Sequence, residues 1–227
     1  MNIKPWFRRI SAVVLVLLLS LTAFSLPAEA FVGDFVQLAN REKLLTTNEC
    51  NGCNLSGVDL SGEDLYGSAL LDADLTGANL SDTLLNEAKL NRADLTGADL
   101  SAASLLGIKL NNAHLNDADL SDAKLNNADM SEAILSGATL TGAELEYAII
   151  SDADLTAVVA QDANFYNAYL SGSDLSSGDF SYAVMENVRL SGATLTNAKF
   201  YEADLFRARM PNDTIYMGDV SKFGAYD

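Results

Sequence analysis

The sequence has little of the material from which most active sites and metal centres are built. It holds one histidine, one tryptophan, two cysteines and three prolines in 227 residues. So few imidazole and thiol groups exclude a His-rich metal centre and a multi-disulfide scaffold. Basic residues are also scarce, since 14 Lys and Arg stand against 31 Asp and Glu, for a formal net charge of −17. Such a charge repels a nucleic-acid backbone, so direct DNA or RNA binding is not expected.

The first thirty residues predict export. Basic residues precede an apolar run from Ile10 to about Leu21, and Ala28-Glu29-Ala30 supplies the small residues of a cleavage site. The run is shorter than the ~20 residues needed to span a bilayer, so a cleaved signal peptide over residues 1–30 is favoured over an uncleaved anchor. The pair Arg8-Arg9 also allows twin-arginine export. Ser11 stands where that route usually has a bulky apolar residue, so the general secretory route is favoured.

The rest of the chain carries a repeat of five residues. From residue 55 to residue 210 every position divisible by five is apolar, most often Leu, and the position two residues earlier is most often Ala. On an α-helix a step of five scatters these residues around the axis, and in a flat strand it alternates their faces. Only a chain that turns once in each unit keeps both columns inside. The position two residues after each central residue is mostly Gly, Asn or Asp, which tolerate the positive φ of such a corner.

The repeat resembles that of a known family. Segments such as Ala73–Gly77, Ala93–Gly97 and Ala118–Asp122 resemble the A(D/N)LXX units of pentapeptide-repeat proteins. The resemblance implies an all-β fold, a right-handed four-sided (quadrilateral) parallel β-helix with the Leu and Ala columns inward. The uninterrupted units over residues 53–212 then predict a solenoid of about eight coils, ~38 Å long at ~4.8 Å between strands.

The open ends of a solenoid need caps, and the sequence offers a candidate at each end. Apolar residues at near-helical spacing from about Asp34 to Leu45 predict a short amphipathic helix within an N-terminal cap of residues 31–52. Pro211 interrupts the units at the other end, and residues 213–227 form the predicted C-terminal cap or tail. Four apolar side chains are expected to shield the last coil: Ile215, Tyr216, Phe223 and Tyr226.

The inward columns contain departures from their usual residues. In the smaller column, five positions hold neither Ala nor a larger apolar residue: Glu63, Ser68, Thr83, Ser173 and Gly178. Ala160 is the one truncated central residue, and the bulky Phe165 in the same coil is expected to restore the volume of that layer. Glu63 stands in the Ala column. We expect its carboxylate to escape desolvation only because it belongs to the first coil, next to the cap or to water.

Cys50 and Cys53 form a CxxC pattern, which can indicate redox chemistry or half of a zinc site. A zinc site needs about four ligands, and no second pair of cysteines exists. A thioredoxin-like site needs its first cysteine at a helix start beside a strand, whereas Cys53 occupies the inward column of the first unit. A structural role is therefore favoured, as a buried pair or as a disulfide that export would permit. Similar cysteines before the first repeat of pentapeptide-repeat relatives point the same way.

Catalytic motifs are also missing. No nucleophile elbow, Walker A loop, zinc-protease helix or EF-hand loop occurs. His114 directly precedes a central Leu and is expected to be an exposed surface residue. The aspartates recur with the repeat, so close carboxylate pairs follow from stacking and do not indicate acid–base chemistry. We expect no enzyme activity and no cofactor or metal, with weak calcium binding along the aspartate columns as a less favoured alternative.

The outward residues sort onto four faces by their position in the 20-residue coil. The first two faces are strongly acidic, whereas the fourth carries a slight excess of Lys and Arg. The third face is distinguished by outward apolar residues: Tyr66, Leu84, Leu106, Tyr147, Tyr166, Val184 and Phe206. These residues form a candidate partner-binding or dimer face, and the alternative is the ordinary scatter of apolar residues on a surface.

The favoured function is a non-enzymatic, exported scaffold that binds a protein partner. The expected location is the periplasm or, as for exported relatives in cyanobacteria and plants, the thylakoid lumen. Neither nucleic acid nor, after signal cleavage, a membrane is an expected partner, and a homodimer stays open. The alternative is an acidic DNA mimic, since pentapeptide-repeat proteins that confer quinolone resistance present an acidic rod to DNA gyrase, a type II topoisomerase. Gyrase is cytoplasmic, and a cleaved signal peptide would take this chain away from it.

Overall fold

The computed structural model describes residues 28–217, with side chains from residue 35 onward. One helix and a regular series of turns and single-residue bridges make up this part of the chain. Within it, no helix is long and apolar enough to cross a bilayer. The apolar run from Ile10 to about Leu21 lies outside the described residues, as do Phe223 and Tyr226.

Helix α1 spans Ala28–Thr47 and is longer at both ends than the predicted segment. Its side chains divide by exposure, since Leu44 is fully buried whereas Leu38 is 51% exposed. The helix ends where Asn48 takes a φ of 59° and its N–H donates to the Leu44 carbonyl at 2.8 Å. A left-handed residue in this position is a common helix stop, because its N–H satisfies a carbonyl of the last turn.

Beyond α1 the chain forms a coil with 20 residues in each turn. Every parallel bridge joins residues 20 apart, from Glu49↔Ala69 to Arg189↔Arg209. Within the Asn54↔Asp74 bridge, the N–H of Asp74 donates to the Cys53 carbonyl at 2.9 Å, and that of Leu55 donates to the Asp74 carbonyl at 2.7 Å. Bridged residues recur every five positions. The coil therefore has four sides, each contributing one bridged residue instead of a longer strand.

A corner follows each central residue. The N–H of Val58 donates to the carbonyl of Leu55 at 3.2 Å and closes a four-residue turn. The third residue of each such turn has a positive φ, between 53° and 76° at every fifth position from Gly52 to Arg207. Type II turns require this conformation at that place. The corner predicted from Gly, Asn and Asp is confirmed.

The two inward columns form the core. The central residues from Leu55 to Met210 are buried, except Leu195, which is only partly buried and packs against the edge of the core. Two buried hydroxyl groups in the smaller column donate to the backbone, Thr83 to the Leu80 carbonyl at 2.7 Å and Ser173 to the Ile150 carbonyl. Thr83 and Ser173 thus avoid the cost of an unpaired buried donor. The buried hydroxyl of Ser68 has no hydrogen-bond partner within the described part of the chain.

Glu63 lies in the Ala column without being buried. Its side chain is 36% exposed, and its Oε1 accepts a hydrogen bond from Nη2 of Arg41 in α1 at 2.7 Å. Arg41 also donates through Nε to the Asp59 carbonyl at 2.8 Å. The first coil therefore leaves this carboxylate partly in water and pairs it with α1, as the repeat register requires.

An aromatic cluster surrounds the truncated position Ala160. Phe180 is the central residue one coil beyond Ala160, and its ring centroid lies 5.9 Å from that of Phe165 and 5.4 Å from that of Phe200. Ala160, Phe165 and Phe180 are all fully buried. Phe165 thus belongs to a cluster of three rings, in which it meets Phe180 edge to face and Phe180 stacks on Phe200. The compensation expected within one coil extends over neighbouring coils.

A disulfide joins Cys50 and Cys53 where α1 passes into the first coil. Cys50 is fully buried and Cys53 is 7% exposed. No free cysteine is present among the described residues.

The last coil ends with a reversal of the chain. Arg209 and Ile215 form an antiparallel bridge, and the N–H of Met210 donates to the Thr214 carbonyl at 2.8 Å. Tyr216 packs against the core as expected, whereas Ile215 is 56% exposed and does not shield it. The difference follows from the extended chain, in which neighbouring side chains point to opposite sides.

Candidate functional site

Four outer faces surround the core. The first face has Leu55 and its successors every 20 residues as central residues, the second begins at Leu60, the third at Leu65 and the fourth at Leu70. The residues just before and just after each central residue point outward, because side chains alternate along extended chain. The residue two after it lies at the corner to the next face.

Acidic and amide side chains on the first two faces bond to their own backbone. Oδ1 of Asp59 accepts both the N–H and the hydroxyl of Ser61, at 3.1 and 2.7 Å. Such turns are typical of Asp and Asn, and they occupy the side-chain oxygen. The same pair of bonds joins Ser56 to Asn54, Ser81 to Asn79, Ser101 to Asp99 and Ser121 to Asp119.

Some of these hydrogen bonds also lower the pKa of the carboxyl group that accepts them. The bonds from Ser61 lower the pKa of Asp59, because donors favour the charged carboxylate. The pKa of Asp94 is lowered chiefly by the side chain of Thr96, and that of Asp174 by Ser176. The carboxylates of Asp59, Asp94 and Asp174 are thus built into the turns and held ionised, which suits structure better than proton transfer.

The side chains described by the structure offer no candidate metal site. Between residues 35 and 217, no group of three or more His, Cys, Asp and Glu side chains could hold a metal ion. His114 is exposed on the first face, where it bridges to Asp94. The stacked aspartates of this range are separate turn residues.

The third face exposes apolar side chains at the positions assigned to it from the sequence. Six of the seven residues are between 38% and 54% exposed, and Tyr166 is half-buried. The rings of Tyr147 and Tyr166 meet edge to face with centroids 6.0 Å apart. Aromatic side chains of this kind are enriched where proteins contact each other.

The apolar residues of the third face form two clusters instead of one stripe. The N-terminal cluster consists of Tyr66, Leu84 and Leu106, and the C-terminal cluster of Tyr147, Tyr166, Val184 and Phe206. A polar network separates them. In it Nδ2 of Asn126 donates to Oε2 of Glu144 at 3.1 Å, and Oδ1 of Asn126 accepts a hydrogen bond from the Glu146 N–H at 2.9 Å.

Exposed apolar residues also lie on other faces, where the sequence analysis did not single them out. Tyr182 and Tyr201, on the second face, are 49% and 51% exposed, and their rings meet edge to face at 5.5 Å. Ile149 on the fourth face and Val159 on the second are 41% and 37% exposed. Their positions in the 20-residue coil also place all four residues outward. The sequence analysis missed them because it described the second and fourth faces only by their charge.

A groove with a cavity of about 330 Å³ follows the corner between the third and fourth faces near the C-terminal end. Arg189, Arg207 and Arg209 line it together with Tyr147 and Tyr169. The guanidinium of Arg189 lies 4.6 Å from the centroid of the Tyr169 ring. Sequence reasoning missed this groove because it counted charges face by face, whereas the groove takes residues from two faces.

Comparison with known families gives one consistent match. A family described as pentapeptide repeats matches residues 49–82, 78–117, 113–149 and 140–176, and a second pentapeptide-repeat family matches residues 160–204. No curated protein matches the chain.

The comparison with solved structures also finds pentapeptide-repeat proteins. Full-length QnrB1, a plasmid-mediated fluoroquinolone resistance protein, is 21% identical over 68% of this chain and 83% of its own, with a TM-score of 0.58. HetL from the cyanobacterium Nostoc sp. strain PCC 7120, involved in heterocyst differentiation regulation, is 28% identical over 78% and 97%, with a TM-score of 0.32. A protein of the Arabidopsis thaliana thylakoid lumen is 25% identical over 63% and 72%, also with a TM-score of 0.32.

Proposed function

We propose, since this chain belongs to the pentapeptide-repeat family, that it is a non-enzymatic rigid scaffold whose third face binds a protein partner. Proteins of this family form right-handed quadrilateral β-helices. The observation that carries the proposal is the pair of exposed apolar clusters on the third face. Apolar and aromatic groups left in water there gain free energy when a partner covers them.

Rigidity is the second part of the proposal. Backbone hydrogen bonds join each coil to the next, from the bond of Cys50 N–H to the Ala69 carbonyl onward. We propose about eight such coils, with α1 as the N-terminal cap. Two contacts support that role, because Nε2 of Gln37 donates to Oγ of Ser56 and Nδ2 of Asn40 donates to the Asn54 carbonyl, both at 2.9 Å.

The scaffold is proposed to act after export, in the periplasm or the thylakoid lumen. The basic, apolar and small-residue segments of residues 1–30 support a cleaved signal peptide. The disulfide between Cys50 and Cys53 fits an oxidising compartment. The mature chain would then begin at Phe31.

Affinity capture with matched variants tests the proposed face. The bait is mature protein from its native compartment, either wild type or carrying Tyr66→Ser, Leu106→Ser, Tyr166→Ser and Phe206→Ser. The control variant changes equally exposed residues elsewhere, Leu38→Ser, Ile149→Ser, Val159→Ser and Tyr201→Ser. We expect one set of proteins to bind the wild type and the control but not the third-face variant. Retention by the third-face variant, or equal loss from both variants, would refute the proposal.

The acidic first and second faces favour a second candidate, a DNA mimic that binds a type II topoisomerase. This function requires the protein in the cytoplasm. Protein sequencing of the N-terminus in fractionated cells separates the two candidates. Retention of Met1 in the cytoplasm would favour the mimic, and a start at Phe31 in an exported fraction would exclude it.

A further inference from the structure

The groove at the corner of the third and fourth faces carries concentrated positive charge on an acidic rod. Three arginines, Arg189, Arg207 and Arg209, line it, and no Asp or Glu does. The ion pairs found between residues 35 and 217 involve none of these three guanidinium groups. Their charge is therefore available to a ligand.

Three cations elsewhere on the coils are paired with acids one coil away, whereas Lys89 and Lys124 form none of the ion pairs in the described range. The pairs are Arg92 with Asp72 at 2.7 Å, Lys109 with Asp129 at 3.8 Å and Lys199 with Asp179 at 3.7 Å.

The groove differs from these three pairs, because in it one cation lies next to another. Arg189 bridges to Tyr169 on one side and to Arg209 on the other, and Arg207 follows Asn187 by one coil. The stacked arginines stand ~4.8 Å apart at the backbone, where like charges repel each other. An anion bound between them would remove that repulsion.

Aromatic rings position two of the guanidinium groups. Arg189 lies over Tyr169 at 4.6 Å, and Arg207 lies over Phe206 at 5.0 Å. A guanidinium that stacks on a ring keeps its N–H donors in its own plane, where they can bond to an oxyanion. Asn167 also lines the groove and adds an amide group. The groove thus presents oriented donors as well as charge.

We propose that this groove binds the phosphate group of a phosphate monoester. Such a group carries about −1.5 to −2 charges and three acceptor oxygens, which match three guanidinium forks. A carboxylate offers two oxygens and one charge, and so satisfies fewer of these donors. A cavity of about 330 Å³ accommodates the phosphate and a small organic group, which Tyr147 would contact. The site adjoins the proposed protein-binding face and shares Tyr147 with it. The variant proposed for that face keeps Tyr147 and the three arginines but removes the Phe206 ring beside Arg207, so the arginine variant below tests the groove separately.

Calorimetric titration of the mature protein tests this assignment, with phenyl phosphate, inorganic phosphate and benzoate as probes. The test variant carries Arg189→Gln and Arg209→Gln. The control carries Lys89→Gln and Lys109→Gln, which removes the same charge from the same face. We expect the variant to raise the Kd for phenyl phosphate about tenfold or more, the control to leave it nearly unchanged, and benzoate to bind more weakly. Circular dichroism checks that both variants stay folded.

Vesicle flotation distinguishes the source of the phosphate. Phosphatidylcholine vesicles with and without phosphatidic acid are the probes. If the protein binds phenyl phosphate but does not float with either kind of vesicle, the ligand is a soluble phosphate monoester. If it floats only with vesicles that contain phosphatidic acid, and the arginine variant does not, the ligand is a lipid headgroup. The proposal is overturned if no phosphate probe binds at millimolar concentration, if benzoate binds as tightly, or if the control variant loses binding equally.

Discussion

Gly178 leaves room for the ring of Phe180. A β-carbon at residue 178 would stand 2.6 Å from Cε2 of Phe180 and 3.2 Å from the Leu175 carbonyl oxygen. The ring has neighbours on two sides, because Phe165 and Phe200 pack against it at 5.9 and 5.4 Å. Gly178 stands in the inward column where Ala is the commonest residue, so the missing methyl group compensates for the larger central residue.

The first prediction is that Gly178→Ala lowers the free energy of unfolding by about 1–3 kcal/mol, the usual range for overpacking. The substitution restores the most frequent residue of its column, so a consensus argument predicts the opposite sign. Urea unfolding followed by circular dichroism measures the change.

A double-mutant cycle gives the control. Phe180→Leu should leave a void when made alone, yet the double variant should be more stable than the sum of the two single changes implies, by on the order of 1 kcal/mol. Additive effects would show that Phe180 is not the obstacle.

The second prediction concerns α1. Leu44 is fully buried against the first coil, so Leu44→Ala should lower the unfolding free energy by about 2–5 kcal/mol. Leu38→Ala, at a position that is 51% exposed, is the control and should change it by less than about 0.5 kcal/mol. An unchanged urea midpoint for Leu44→Ala would mean that α1 does not unfold together with the coil.

The third prediction is a loss of stability at acid pH. The hydrogen bonds that lower the pKa of Asp94 and Asp174 stabilise the folded state above the unfolded pKa of about 3.9, and this contribution disappears as the pH falls through the lower folded values. Asn54 makes the same turn with Ser56, so Asp94→Asn with Asp174→Asn should keep the fold. The variant should lose less unfolding free energy than the wild type between pH 7 and pH 3.

Relief of charge repulsion on acidification affects both proteins nearly alike, and it largely cancels in this comparison. Identical pH profiles for the two proteins would therefore contradict the assignment of the pKa shifts to the turns.

The fourth prediction concerns the disulfide. Reduction of Cys50–Cys53 should lower the unfolding free energy by no more than about 2 kcal/mol, because the bond closes a very short loop. Urea unfolding with and without reductant measures the effect. The paired variant Cys50→Ser with Cys53→Ser should not respond to reductant, and a response would point to a different cause. Detection of free thiols in the unreduced, denatured protein would contradict the bond itself.

The predictable part of the fold came from features inside one repeat unit. The corners followed from Gly, Asn and Asp at one position, and the partly exposed Glu63 followed from its place in the first coil. The stack of Phe180 on Phe200 was missed because it joins different coils. The exposure of Ile215 was missed because the chain reverses beyond the last unit, where the repeat no longer predicts which side is inside.

The constant offset of 20 residues between bridged positions also sets the step by which such a chain can change length. Deletion or duplication of one whole turn would bring the same kinds of residue together again and would only shorten or extend the stack. Loss of a single residue would displace every later column relative to the earlier ones and expose leucines to water. Genetic variation in length is therefore expected to be tolerated in multiples of this step and selected against otherwise.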